Sequence, residues 1–322
     1  MDDKWFVGVD IGGTTIKLAF ITDEGEIAHK WEIPTNTADN GIHIPSEIGR
    51  AIDRKISELG ETKGKLIGLG VGAPGPVNDE NGSIEVAVNL GWSHFPLREL
   101  LEQATSLPVI VDNDANVAAI GEMWKGAGEG AQNLLCVTLG TGVGGGVIAN
   151  GEILHGVNGA AGEIGHIAAV IDDAVRCNCG KLGCLETVAS ATGVVRLAKT
   201  NLQSTDTQSI LRGAAHLSAK KIFDEAKAGD ELALEVVNKL AFYLGFALAN
   251  IANVTNPEKI VIGGGVSKAG ETLLQPLQQQ FMQYAFTRVA EGAELRIAKL
   301  GNDAGIIGAA WLAKTKLVLP QL

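Results

Sequence analysis

A short pattern that occurs twice constrains this chain more than any other feature. An apolar run, Trp5 to Val9, ends in Asp10-Ile11-Gly12-Gly13-Thr14-Thr15; a second run covers Ile16 to Ile21, and Asp23-Glu24-Gly25 closes it. Short apolar runs bounded by glycine-rich segments read as strand, turn, strand, turn. The pattern returns as a strand at Leu134 to Leu139, a glycine-rich turn over Gly140 to Gly146, a strand at Val147 to Ala149, and the turn Asn150-Gly151. Val9-Asp10-Ile11-Gly12 aligns with Val137-Thr138-Leu139-Gly140, and Gly25-Glu26-Ile27 with Gly151-Glu152-Ile153, with spacing that differs by two residues. Such self-similarity predicts two related lobes, each opening on a Gly-turn hairpin.

The rest of the chain mixes strands and helices. Ile48 to Leu59 has helical spacing, and Leu66 to Val71 is a strand that enters the rigid loop Ala73-Pro74-Gly75-Pro76. Val109 to Val111 is a strand, and Ala115 to Trp124 is a helix. Leu217 to Val254 reads as helical, with a stripe of Val236, Leu240, Leu244, Ala247 and Ile251. Asp230 and Glu231 suit a helix N-terminus, and Asn256-Pro257 ends the pattern. Ile260 to Ile262 is a strand, Ile306 to Leu317 a last helix, and the polar stretch Thr200 to Thr207 a surface loop. These elements predict a two-lobed α/β protein.

Composition narrows the function classes. With 46% hydrophobic and 20% charged residues over 322 positions, the chain can bury sizeable cores. A net charge of −11 argues against a nucleic-acid binder, which needs a basic face. Met1 to Asp10 holds no apolar stretch of signal-peptide length. The apolar stretch Leu240 to Ala249 stops at Asn250, short of the roughly 20 residues that span a bilayer. The expectation is a cytoplasmic protein with no membrane partner, whose four cysteines stay reduced or bind metal.

Three glycine-rich segments follow strands: Gly12-Gly13, Gly140 to Gly146, and Gly263 to Gly265. Each is a phosphate cradle or a tight turn, since glycine lets successive amides converge without a Cβ in the way. Gly140-x-Gly142-x-x-Gly145 matches a dinucleotide fingerprint, but that motif needs a helix to follow, and Val147-Ile148-Ala149 reads as a strand. No Gly-Lys-Ser/Thr follows any cluster, so a P-loop is excluded. A hairpin that contacts phosphate from its own turn remains. Asp10, Gly12, Gly13, Thr14, Thr15 and Lys17 would supply carboxylate, amides, hydroxyls and a cation, with the carboxylate positioning Mg²⁺ through water. Lys17 also fits a solvated strand position.

Cys177, Cys179 and Cys184 lie within eight residues, with His166 eleven residues earlier. This set suits tetrahedral zinc, and the alternative is reduced structural cysteines; Cys136 reads as a core residue. Four protein ligands leave no open position, so the zinc would be structural. It would fix Glu163, Glu186 and the imidazole around a pocket suited to sugar hydroxyls; without it the two glutamates read as surface charge. Asp112-Asn113-Asp114-Ala115-Asn116 ends a buried strand. Acids and amides there mark a helix cap or a ligand site: capping fits Asp112, and proton acceptance fits Asp114.

Taken together, Asp10-Ile-Gly-Gly-Thr-Thr-Ile-Lys17, Leu139-Gly-Thr-Gly-Val-Gly-Gly-Gly146, Gly162-Glu-Ile-Gly-His166 and Cys177-x-Cys-Gly-x-x-Gly-Cys-x-Glu186 resemble the motifs of the ROK family of sugar kinases and related repressors. Within that family the sequence is similar to the bacterial glucokinase branch, from Asp10 to the Gly-Asn-Asp-Ala-Gly-Ile stretch at 301–306. The resemblance implies a two-lobed actin-like (ribonuclease H-like) sugar kinase fold. It implies a small α/β domain of residues 1–115 plus 303–322, and a large one of 116–302 with the zinc site and dimer surface. It further implies a homodimer that phosphorylates glucose at the 6-hydroxyl with ATP and Mg²⁺. Asp114 is then the general base. Gly72, Asn89, Asn113, Asp114, Glu163, His166 and Glu186 lie on the sugar side, and Thr14, Thr141, Gly142, Gly264 and Gly265 on the nucleotide side. Trp92 borders the cleft or fills the core. Because the phosphate motif begins at Asp10, no room is expected for the repressors' DNA-binding domain. A kinase for N-acetylmannosamine, N-acetylglucosamine or fructose, and a non-catalytic sugar-binding regulator, are the alternatives. A zinc-containing dehydrogenase is more remote, since no helix is expected after Gly145.

Overall fold

The first hairpin is β1 (Trp5–Ile11) paired antiparallel with β2 (Thr15–Ile21), which pairs in turn with β3 (Ile27–Pro34). The computed structural model describes residues 4–318. Helix α1 (Ile44–Glu58) leads to β4 (Leu66–Ala73), which lies parallel to β1. A small hairpin of β5 (Ile84–Ala87) and β6 (Trp92–Phe95), then α2 (Leu97–Thr105), precede β7 (Val109–Asn113), parallel to β4. The sheet order is β3-β2-β1-β4-β7, and α3 (Asp114–Lys125) starts where β7 stops. Side chains alternate across the strands. Val7, Val9 and Ile11 of β1 join one core with Ile44, Ile48 and Ile52 of α1 and Leu97 and Leu101 of α2. Trp92 lies in that core at 2% exposure, stacked on Phe95.

The second hairpin is β8 (Leu134–Leu139) and β9 (Val143–Ala149), extended by β10 (Glu152–Ile153). The chain then forms α4 (Glu186–Ala189), α5 (Ala191–Ser204), α6 (Ala219–Lys227) and α7 (Glu231–Thr255). Strand β11 (Lys259–Gly263) follows, then α8 (Glu271–Tyr284), α9 (Thr287–Gly292) and β12 (Glu294–Ile297). The order β10-β9-β8-β11-β12 repeats that of the first sheet: three strands in an antiparallel meander, then two parallel strands added beside the first. The second core gathers around the apolar stripe of α7, including Val236, Leu240, Leu244 and Ala247.

The last helix, α10 (Ala304–Leu317), packs with α3 and with β1 and β4. Its approach is flush: a Cβ on Gly70 of β4 would run into the Ala309 carbonyl, and one on Gly308 into that of Val117. The described residues through Gly130, Ile153–Ala161 and those from Asn302 onward form one unit; Ala131–Glu152 and Gly162–Gly301 form the other. Helix α3 therefore groups with the residues before it, because it packs on α10, whereas the expected division fell at 115/116. Residues 1–3 and 319–322 of the expected small domain lie outside the described residues.

Several local expectations change. Gly144 to Gly146 lie inside β9, so the turn is confined to Gly140-Thr141-Gly142. Gly145 serves close approach instead: a Cβ there would lie 2.6 Å from Ile164 side-chain atoms. The helical stretch Leu217 to Val254 is two helices, broken at Gly229 (φ +91°) and restarted by Asp230, whose carboxylate accepts from the Ala233 amide. Thr200 to Ser204 is the end of α5 rather than loop. The helix that holds the apolar stretch Leu240 to Ala249 runs from Glu231 through Asn250 to Thr255, 25 residues long and apolar enough to cross a membrane, with 61% of its most apolar window buried inside the fold.

Candidate active site

In the first unit, β1, β4 and β7 are parallel, so their C-terminal ends share one sheet edge. Ligands in α/β sheets gather at such edges. Asp10, Gly72 and Asp112 are neighbours in register across the three strands. Asp10 is paired across the hairpin with Lys17, whose Nζ lies 3.4 Å from Oδ2. Burial raises the Asp10 pKa, and Lys17 works against that shift. The carboxylate also meets the first turn of α10, where a Cβ on Gly305 would lie 2.8 Å from its Cγ.

The turn after β1 is held from both sides. The Gly12 amide donates to the Thr15 carbonyl at 3.1 Å, and Thr35 Oγ1 donates to the Gly12 carbonyl at 2.7 Å. Gly13 and Thr14 are exposed at its tip, and Thr15 is half-buried. Asn89, also exposed, packs against Gly13, since a Cβ there would be 3.2 Å from Asn89 Nδ2. Gly72 is buried under Val117, with no space for a side chain.

The Asp112–Asn116 turn is a dense network. Asn113 is the N-cap of α3: its Oδ1 accepts from the amides of Ala115 at 2.9 Å and Asn116 at 3.3 Å, and its Nδ2 donates to the Gly75 carbonyl at 3.1 Å. The cap expected at Asp112 thus belongs to Asn113. Asp114 follows as the first helical residue, exposed, with Oδ1 accepting from the Ala115 amide at 2.8 Å. Asp112 is buried and bonds His155, a partner that sequence reading missed because 43 residues separate them.

In the second unit, β8 and β11 run parallel, and Gly140–Gly142 and Gly263–Gly265 leave from their C-terminal ends. The Gly140 amide donates to the Gly142 carbonyl at 2.9 Å, and the Ala191 amide at the start of α5 donates to the Gly140 carbonyl at 2.8 Å. Thr192 Oγ1 donates to the Thr141 carbonyl at 3.0 Å. Gly264 (φ +82°) lies against the Leu139 backbone, and Gly265 is exposed beside it. Thr141 borders a cavity of about 560 Å³ with Thr192, Val195, Arg196, Lys199 and Ser218. These residues of α5 and the start of α6 were not singled out in the sequence: they line one cavity only once two helices meet the Gly turn.

His166, Cys177, Cys179 and Cys184 converge, with all four candidate ligand atoms within 4.8 Å of one another. Cys179 Sγ and Cys184 Sγ are 3.6 Å apart, and Cys177 Sγ is 3.7 Å from His166 Nδ1. Two sulfurs at about 2.3 Å from one tetrahedral zinc stand about 3.8 Å apart, so the donor set fits that ion. Burial and the neighbouring thiols push the Cys184 pKa up to about 12, burial raises that of Cys177, and a backbone hydrogen bond from Lys181 lowers that of Cys179. A divalent cation reverses such a penalty by taking the thiolates as ligands. His166 keeps Nε2 toward Glu163, 3.8 Å from Oε2. Glu186 spans two sites: Oε1 is 3.5 Å from Cys177 Sγ, and Oε2 accepts from the Val143 amide at 3.1 Å.

The ROK family model matches residues 6–316. The chain is 60% identical over 317 residues to a glucokinase of Halalkalibacterium halodurans, covering 98% of this chain and 96% of that one. It is 34% identical over 312 residues to the N-acetylmannosamine kinase of Escherichia coli, covering 96% and 98%. A crystal structure of a Streptomyces griseus ROK glucokinase in complex with glucose and AMPPNP superposes with a TM-score of 0.78 at 36% identity, covering 97% of this chain and 99% of that one. The fold is the actin-like, two-lobed fold of these kinases. The chain belongs to the ROK family.

Proposed function

We propose that the protein transfers the γ-phosphoryl group of ATP to the 6-hydroxyl of glucose, giving glucose 6-phosphate and ADP. The observation that carries this hexokinase-type reading is the 60% identity, over nearly the whole of both chains, to a glucokinase. A second reading, in which the acceptor is N-acetylmannosamine, draws on the Escherichia coli relative.

Phosphoryl transfer is mainly a matter of position and charge. Asp114 is the base: exposed at the first turn of α3, on a turn locked by Asn113, it orients the sugar hydroxyl and takes its proton. Gly72, Asn89, Asn113, Glu163, His166 and Glu186 are the sugar-side residues, with the polar side chains among them binding sugar hydroxyls. The amides and hydroxyls of Gly12, Gly13, Thr14, Thr15, Thr141, Gly142, Gly264 and Gly265 hold the nucleotide, with Lys17 adding positive charge. The apolar wall of the cavity beside Thr141 suits an adenine base, and Arg196 and Lys199 suit the phosphates of the nucleotide. Mg²⁺ would supply charge neutralisation on the phosphates, and Asp10 would help to hold it. His166, Cys177, Cys179 and Cys184 would hold a structural zinc, and Glu163 and Glu186, which lie beside His166 and Cys177, would be fixed with them.

A second copy of the chain covers an aromatic face of α7, the end of α8 and the cap of α9, where Phe242, Phe246 and Phe286 are 39%, 38% and 67% exposed and Tyr284 packs edge-on against the first two. The reading also places the protein in the cytoplasm, where ATP is supplied and the three thiols stay reduced. ADP release with Mg·ATP and a panel of hexoses tests the substrate. Glucose-dependent release supports the first reading; release with N-acetylmannosamine alone keeps the reaction and moves the acceptor.

A further inference from the structure

Asp112 stands two residues before the proposed base and has no role in the reaction as described. Its side chain is 5% exposed. Oδ1 accepts from the Asn113 amide at 2.7 Å and from Asn116 Nδ2 at 2.9 Å, and Oδ2 accepts from His155 Nε2 at 2.8 Å. A carboxylate this deep is costly unless its lone pairs are met and its charge is balanced. His155 meets the Oδ2 lone pair at contact distance and balances the charge when protonated.

The other ring nitrogen, Nδ1, lies 3.5 Å from Asp79 Oδ2. A neutral ring donating from Nε2 would turn its Nδ1 lone pair toward that carboxylate, so the arrangement calls for a proton on each nitrogen. The hydrogen bond to Asp112, with the charges of Asp112 and Asp79, raises the ring's pKa against the opposing effects of burial and Lys316. The charged groups facing the ring are Asp112 from β7, Asp79 from the loop before β5, Lys316 from α10 and Arg98 from α2, around a cavity of about 300 Å³.

We propose that His155 is a positioning residue for phosphoryl transfer: as an imidazolium joined to Asp112 and Asp79, it fixes the Asp112 carboxylate and, through it, the turn that carries Asp114. The proposal rests on the reading of Asp114 as proton acceptor. The line of action is short. His155 holds Asp112, Asp112 holds the Asn113 amide and the Asn116 side chain, Asn113 caps α3, and Asp114 is the next residue. A misplacement of about 1 Å at a reacting group can cost about 10²-fold in rate.

The test compares wild type, Asp114→Asn, His155→Phe and His155→Gln, measuring kcat, KM for ATP and melting temperature from about pH 6 to 9. His155→Phe is expected to lose about ten-fold in kcat, with KM for ATP changed by less than about two-fold. His155→Gln keeps a donor toward Asp112 and is expected to recover most of that loss. Wild-type kcat declines as pH rises through the ring's raised pKa, and the glutamine variant lacks that decline. The proposal is overturned if a folded His155→Phe keeps wild-type kcat and pH profile while Asp114→Asn is inactive; the reading of Asp114 then stands alone. Should Asp114→Asn turn over normally, that reading fails and this proposal fails with it. If His155→Phe does not fold, the glutamine profile decides: an unchanged alkaline decline rejects the proposal, and its loss supports it.

Discussion

Single side chains carry the chemistry of the cysteine cluster, and their removal has a direct readout. Cys179→Ser deletes one of four converging candidate ligands. Changing even an outer partner of a metal ligand costs about 10–100-fold in affinity, so loss of a ligand is expected to cost more. Metal analysis should find the variant depleted in zinc, with a lower melting temperature and a raised KM for glucose. A zinc-free variant with unchanged glucose KM would remove the link from the metal to Glu163 and Glu186. His155 gives a second prediction at this scale. Its pKa is raised above 6.5, so its contribution to stability is complete below that value and is lost as pH rises through the folded value. Melting temperature should fall over that range in wild type and stay flatter in His155→Gln. The convergence of His166, Cys177, Cys179 and Cys184 was legible in the sequence because side chains that could chelate one ion leave a spacing. The Asp112–His155 bond and the reach of Glu186 to the Val143 amide were not, since each joins residues 43 apart.

Elements show where periodicity suffices and where it fails. The hairpins, α1, β4, β7, α3 and α10 were readable from apolar runs and the turns between them. The glycines of β9 were not, because a glycine needed for close approach looks the same as one needed for a turn. The start of α7 at Asp230 was legible as an acid suited to a helix N-terminus, but the break before it at Gly229 was not. Burial opposes ionisation of Asp230, but bonds from the amides of Ala233 and Ile210 and from Ser209 Oγ outweigh it and lower its pKa. Its contribution is therefore present above 3.8 and is lost as pH falls through the lower folded value. Asp230→Ala should cost about 1 kcal/mol in denaturant unfolding near neutral pH, and less in acid. Gly70→Ala is a sharper test of the seat of α10: the added methyl meets the Ala309 carbonyl, and a loss of about 1–3 kcal/mol is expected. Unchanged stability would mean that α10 does not pack flush on β4.

The whole molecule repeats one sheet plan, and this is what the duplicated Gly-turn pattern anticipated: β3-β2-β1-β4-β7 and β10-β9-β8-β11-β12 have the same order and the same strand directions. The proposed dimer face left no such trace in the sequence, because Phe242 and Phe246 belong to a helix whose other face fills the core. Sedimentation of Phe242→Asp combined with Phe286→Asp should give a monomer where wild type gives a dimer. Wild type sedimenting as a monomer would contradict that assembly. The account as a whole turns on Asp114, and the most direct measurement is glucose-dependent ADP release by wild type and Asp114→Asn, with glucose binding followed by calorimetry on both. The account predicts that the variant binds glucose nearly as wild type does but loses about 10²–10⁴-fold in turnover. Near-normal turnover by Asp114→Asn would contradict it.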